Sequence, residues 1–311
     1  MMPPKPGPPP RVVPRRRILA RRLGAVGAVV LAGIVVFAIV KVAGRGGGPA
    51  ATAPTTAAAP KPFRVVFPEG FTRDEMAQRV QVVARIAHRE RGVDPLLSRK
   101  TYLAATGPRV VPGFRPKPGT TRGPVFGRKP RRIEGFLFPA TYDFLTHTTS
   151  KQLVRAQLVA FQRNWSQVNL SYARSKNLTP YDVLIIASLV EKEALAPDER
   201  PKIARVIYNR LHAHMNLGID ATTRYGLHVP ATKSLTQSEL NSSNPYNTRN
   251  PRILGLPPTP IANPGLASMQ AAAHPAPGDW LYFVRKPDRI HHYFTASFND
   301  FVTHERLYGY K

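Results

Sequence analysis

The stretch Leu184-Ile185-Ile186-Ala187-Ser188-Leu189-Val190 offers one polar side chain, Ser188, and no polar face. A helix that is apolar all round must be covered on every side. Thr179-Pro180-Tyr181-Asp182 opens it with a hydroxyl cap, a proline at the first helical position and an acid three residues after the cap. The same helix then runs into Glu191-Lys192-Glu193 and so carries carboxylates into an interior. A carboxyl held against apolar surface keeps its proton to higher pH than one in water, as a general acid requires. Glu193 continues the stripe of Ile186 and Leu189, while Glu191 shares a face with Leu184 and Ala187. Periodicity leaves both open, and many helix-end glutamates are simply solvated.

Leu23 to Val40 is an uninterrupted run of apolar or small residues, close to the length that spans a bilayer as a helix. Arg11, Arg15, Arg16, Arg17, Arg21 and Arg22 precede it; Lys41 and Arg45 follow at close range. That asymmetry predicts a cytoplasmic N-terminus and an exported remainder. A cleaved signal peptide is the rival, but the run is long for one and no small-x-small site follows at once. The expected layout is a cytoplasmic Pro/Arg-rich tail over 1–22, a membrane helix over 23–43 and a flexible Gly/Ala/Pro/Thr linker over 44–62.

The net charge is +27, and the part beyond residue 62 carries +17, from 35 basic and 18 acidic residues. Such a surface suits an anionic surrounding of any kind, including nucleic acid, cell-wall polymer or lipid headgroups. No helix-turn-helix, zinc-finger or aromatic RNA-binding signature accompanies it, and the topology turns it away from nucleic acid. The chain has no cysteine, which excludes disulfides and thiolate metal sites.

The exported part reads as α+β. A small strand-turn-helix subdomain begins with a strand near Arg64–Phe67 and a turn at Pro68-Glu69-Gly70. Thr72 and Glu75 form a capping box for a helix with Met76, Val80, Val83 and Ile86 on its inner face. Residues 107–132 read as a long basic loop, which places a boundary near 130 between segments 63–130 and 131–311. Helices are expected over 151–165, 180–193 and 198–215, paired strands over 281–284 and 291–295, and a last helix from Ser297. The segments 218–226, 244–248 and 255–261 read as polar, proline-stiffened loops.

Seven segments occur together and in order: VFPEGFT, IEGFLFPATY, VEKEALAPDERPKIARVIYNRL, GIDATTRYGL, NPYNT, GLPPTPIANPGLASMQAAAHPA and LYFV…HHYF. In this set the chain, over roughly residues 64–305, resembles the MltG (YceG-like) family of membrane-anchored endolytic murein transglycosylases. The resemblance implies cleavage of the MurNAc–GlcNAc β-1,4 bond within nascent peptidoglycan glycan strands, leaving 1,6-anhydro-MurNAc ends. It selects Glu193, the second glutamate of the E-K-E run, as the general acid/base.

Asp220, Thr222, Tyr225, Tyr246, Asn247, Thr248 and, more weakly, Asn263 fall on family motifs and are implied to line the sugar cleft. Glu191, Glu134 and His292 are implied in supporting positions, each with a structural alternative. No cofactor or metal is implied. Glycan polymerases and transpeptidases are the implied neighbours at the membrane. Two other readings stay open: a non-catalytic peptidoglycan-binding scaffold with the same fold, and a muramidase that uses water. Arg249 stands where the family often has an aromatic residue, and the short linker stands where it often has a LysM-like module.

Overall fold

A computed structural model describes residues 61–115 and 133–310, which belong to one compact unit spanning residues 59–311. The tail, the expected membrane helix over 23–43, nearly all of the linker and most of the basic loop lie outside the described residues. Among the described residues no helix is long and apolar enough to cross a membrane.

Strand β1 (Phe63–Val66) leads through the Pro68-Glu69-Gly70 turn into helix α1 (Arg73–Arg91). Thr72 and Glu75 close the expected capping box, and Gly92 ends the helix in the left-handed region at φ 63°. The buried face of α1 is Met76, Ala77, Val80, Ala84 and Ala87; Ile86, expected inside, lies on the surface at 37% exposure. Small alanines set the true contact line, and counting only large apolar residues rotates the stripe. A short helix α2 (Arg99–Ala105), capped by Ser98 and Thr101, follows.

β2 (Thr141–Phe144) pairs antiparallel with β1, with Phe63 opposite Phe144 and Val66 opposite Thr141. This two-stranded sheet crosses the sequence boundary near residue 130. The aromatics around it pack into the core: Phe136, Phe161 and Phe114 meet edge-on or tilted, with ring centroids 5.0–5.5 Å apart. Helix α3 (Ser150–Trp165) opens on a Thr149–Gln152 capping box, and α4 (Ser171–Ser175) is a single short turn.

The central element is α5 (Pro180–Glu193), bounded as the sequence predicts. The Thr179 hydroxyl accepts from the Asp182 N–H, and the Asp182 carboxylate takes the Thr179 N–H at 2.8 Å. Every residue from Tyr181 to Val190 is buried. Ser188, the polar exception, donates to the Ile185 carbonyl at 2.7 Å and accepts from the Ile261 N–H at 3.0 Å. Its hydroxyl is therefore satisfied inside the core and also fixes the loop over the helix.

After a 3₁₀ turn at Pro197–Glu199 come α6 (Arg200–His212), α7 (Asp220–Leu227) and α8 (Gln237–Leu240). Helix α9 (Leu266–Ala273) packs along α5 with small side chains, including Ala272 and Ala273, that let the two helices approach closely. Strands β3 (Tyr282–Arg285) and β4 (His292–Thr295) form an antiparallel pair, and α10 (Phe298–Leu307) closes the described chain from its Ser297 cap.

One expected loop is corrected, and one helix stands where none was expected. Residues 220–227 form a helix, which Asp220 starts and His228 ends at φ 56°. Leu266–Ala273 is also helical, although Gly265 gives it no side-chain cap and prolines flank it. Neither carries a cap signature, so local sequence left both unmarked.

One glycine is dictated by this packing. Gly135 sits at φ 89°, and a Cβ there would come within 2.7 Å of the Pro260 ring.

Candidate active site

A cleft of about 1210 Å³ opens where the end of α5, the start of α1, helix α7 and the end of β3 converge. Glu193, Glu134, Asp220, Tyr225, Tyr246, Thr259 and Arg285 all contribute to its wall. Its volume exceeds what one small ligand needs, and it has room for more than one sugar ring.

Glu193 is the last residue of α5; at Ala194 the backbone becomes extended. Its carboxyl is pushed up to about 7, chiefly by burial and further by Asp220, while Arg285, Arg249 and Lys192 pull it back. The negative end of the helix dipole also favours the protonated form. Such a group can give a proton near neutrality and, once ionised, take one back.

Glu191 has a different fate. Its side chain is only 6% exposed, accepts from the Gly265 N–H at 2.9 Å and lies 3.9 Å from Arg200. It thereby caps α9 at the positive end of that helix. Glu69 lies against the same glycine, so a Cβ at Gly265 would collide with it. Burial and the nearby Glu191 raise the Glu69 carboxyl. Lys192 donates to the Gly70 carbonyl at 3.3 Å, joining the end of α5 to the Pro68-Glu69-Gly70 turn.

On the facing wall Asp220, at the start of α7, is ion-paired with Arg249. The rings of Tyr225 and Tyr246 stand 5.2 Å apart. The Tyr225 hydroxyl donates to Glu134 Oε2 at 3.1 Å, and the Tyr246 hydroxyl shares a hydrogen bond of 2.7 Å with Thr259. Glu134 also accepts from the Arg73 N–H at 2.9 Å and from Asn263 Nδ2 at 2.8 Å. Burial pushes its carboxyl up to about 7 against the pull of these donors.

Four residues expected at the sugar cleft sit behind its wall. Thr222, Asn247, Thr248 and Asn263 are fully buried and make hydrogen bonds within the fold. Thr222 donates to the Ile219 carbonyl at 2.6 Å and meets Thr248 at 2.9 Å; Thr248 also accepts from the Ile219 N–H at 3.0 Å. Asn247 accepts from Thr223 and donates to the Leu240 and Ser242 carbonyls. Asn263 receives the Gly135 and Leu137 N–H groups and donates to the Phe71 carbonyl, all at 2.9 Å. These side chains hold the backbone that carries Asp220, Tyr225, Tyr246 and Glu134. Thr222→Val is therefore expected to lower stability by about 1–2 kcal/mol, because it leaves a buried carbonyl and a buried hydroxyl short of partners. Thermal melting checks the loss, and glycan affinity should be unchanged.

His292 is also outside the cleft wall. Its Nδ1 lies 2.7 Å from Glu199 Oε2, its N–H donates to Glu199 Oε1, and burial pushes its imidazole down. It pins β4 to the 3₁₀ turn. His291 pairs with Asp288 in an exposed turn. Among the described residues no group of three or more His, Asp or Glu side chains is placed to hold a metal.

Sequence reasoning missed Arg285 and Thr259 at the cleft. No local motif separates Arg285 from the other basic residues, and only the register that sets it opposite His292 places it.

Two carboxyls raised toward neutrality, Glu193 and Glu134, thus line one cleft with an ion-paired aspartate and an aromatic wall, an arrangement able to give and take protons near neutral pH. Residues 49–306 match the model of the YceG-like family, and the chain belongs to that family. It is 33% identical over 219 residues to the endolytic murein transglycosylase of Bacillus subtilis, covering 70% of this chain and 59% of that protein. It is 31% identical over 228 residues to the endolytic murein transglycosylase of Streptococcus pneumoniae, covering 71% of this chain and 40% of that protein. The chain thus spans well under two thirds of the length of these relatives. A crystal structure of a YceG-like protein from Listeria monocytogenes superposes with a TM-score of 0.63 at 28% identity, over 79% of this chain and 76% of the other.

Proposed function

We propose that the chain is an endolytic lytic transglycosylase of murein, with Glu193 as its single general acid/base. The observation that carries this reading is a carboxyl raised to about 7 in an open cleft, in a chain whose relatives bear that activity in their names. In the reaction the Glu193 carboxyl gives its proton to the glycosidic oxygen as the bond from muramic C1 breaks, freeing the 4-hydroxyl of the departing GlcNAc. The Glu193 carboxylate then takes the proton of the muramic C6 hydroxyl, whose oxygen closes onto C1. One group serves both transfers, so no second catalytic carboxylate is required, unlike ordinary glycoside hydrolysis.

The surroundings suit that cycle. Asp220 supplies negative charge opposite the developing oxocarbenium, and Arg285, Arg249 and Lys192 stabilise Glu193 once it has lost its proton. Tyr225 and Tyr246 give sugar rings an apolar face.

The same proposal places the protein in the cell membrane, anchored through residues 23–43 with the N-terminus in the cytoplasm. A flexible linker over 44–62 has a root-mean-square reach of about 25 Å, which keeps the cleft near newly made glycan and its polymerases and transpeptidases.

The test is digestion of uncrosslinked glycan by the full-length chain, followed by mass spectrometry. Products lighter by one water than hydrolysis products are expected. Reducing ends would make the enzyme a muramidase, and no product from nascent glycan would favour the scaffold reading.

A further inference from the structure

Most of the cations around the cleft are occupied. Arg73 donates to the Leu103 carbonyl and Thr106 and lies 3.4 Å from Asp74. Arg224 donates to the Pro230 and Lys233 carbonyls, Lys192 to the Gly70 carbonyl, and Arg249 is paired with Asp220. Arg285 differs. It stands at the end of β3, half-buried in the cleft wall, and among the described residues its guanidinium has no hydrogen-bond or ion-pair partner.

A half-buried guanidinium that has given up part of its water without a partner is held at a cost. Its planar fork of donors matches a carboxylate better than any neutral sugar group. The Glu193 carboxyl, on which Arg285 acts, must hold its proton for the reaction to begin, Asp220 already has Arg249, and Glu199 is held by His292.

We propose that Arg285 is the cleft's receptor for a carboxylate borne by the muramyl unit of the glycan, and that it makes affinity depend on that charge. The inference rests on the murein reading of the site. Two carboxylates share this chemistry: the lactyl group of a muramic acid without peptide, and the free carboxylates of an intact peptide stem, in which the lactyl carbonyl is an amide.

The experiment measures affinity without turnover, in the full-length chain carrying Glu193→Gln, purified in detergent. Three soluble probes are titrated by calorimetry: a neutral chitin oligosaccharide, a peptide-free murein oligosaccharide and a stem-bearing uncrosslinked one. Adding Arg285→Gln is expected to weaken binding of a carboxylate-bearing probe roughly tenfold and to leave the chitin oligosaccharide unmoved. Arg285→Lys, which keeps the charge but loses the fork, should fall between. Whichever murein probe suffers the loss identifies the source of the carboxylate.

Equal weakening of all three probes, or of none, would overturn the assignment. So would an Arg285→Gln effect confined to the pH profile of cleavage by the otherwise unaltered enzyme, since Arg285 would then act on Glu193 alone. Charge-dependent binding without cleavage by the unaltered chain would leave Arg285 in place and remove the transglycosylase reading. Binding of no probe would overturn both.

Discussion

Glu193→Gln is expected to reduce glycan cleavage by at least about a thousandfold, because the amide can neither give the first proton nor take the second. The fold should survive, since the side chain ends in an open cleft and glutamine keeps its shape. A stability measurement separates loss of chemistry from loss of structure, and it has a sign. The carboxyl sits at about 7 in the folded protein against its ordinary 4.5 in the unfolded chain. Between those values the folded state holds the extra proton, so stability falls as pH rises through that window. Replacing the ionisable group by a neutral amide should therefore stabilise the protein at pH 8, by about 1–3 kcal/mol, and have little effect below the unfolded value. Thermal melts at the two pH values check this; a glutamine variant that cleaves glycan at the normal rate would remove Glu193 from its role. The unaltered enzyme should lose kcat as pH rises above about 7, because the first step needs the protonated form.

The sequence marks some parts of this site and hides others. The apolar helix, its Thr179–Asp182 cap and its terminal carboxylates were all legible, because each is written within a few residues. Choosing between Glu191 and Glu193 was not, because both share faces with apolar neighbours. The choice depends on Gly265, more than seventy residues away, whose N–H captures Glu191 and leaves Glu193 to the cleft. Motif reading likewise gathered the correct segments around the site but could not tell a wall from its support. Tyr225 and Tyr246 face the cleft, whereas Thr222, Asn247 and Thr248, beside them in the same motifs, turn inward. Helices 220–227 and 266–273 were invisible for a related reason: their stability comes from packing and long-range contacts, with no local capping hydroxyl to announce them.

Asn263→Ala is expected to have the largest effect on stability of any single change near the site. The side chain is buried, and its hydrogen bonds join two separate pieces of chain, residues 134–137 and Phe71. Its oxygen takes the Gly135 and Leu137 N–H groups, and its amide reaches the Phe71 carbonyl and Glu134. Alanine would leave two buried donors unpaired and would strip a donor from a carboxyl that is already hard to ionise; the Phe71 carbonyl would keep only the Asn263 backbone N–H. The summed penalty is about 3–5 kcal/mol, since each orphaned group costs about 1–3 kcal/mol and part of the loss relaxes away. For a domain of this size that lowers the melting temperature by roughly 10 °C. A purely substrate-binding asparagine would show the reverse pattern, with weakened glycan affinity and an unchanged melt. The same substitution should also raise the Glu134 carboxyl further, because one of the donors that hold its charge is gone. Glu134 in turn holds the Tyr225 hydroxyl, so a small loss of activity would follow at temperatures where the variant is still folded. Melting and glycan binding measured on one preparation of Asn263→Ala decide between support and contact.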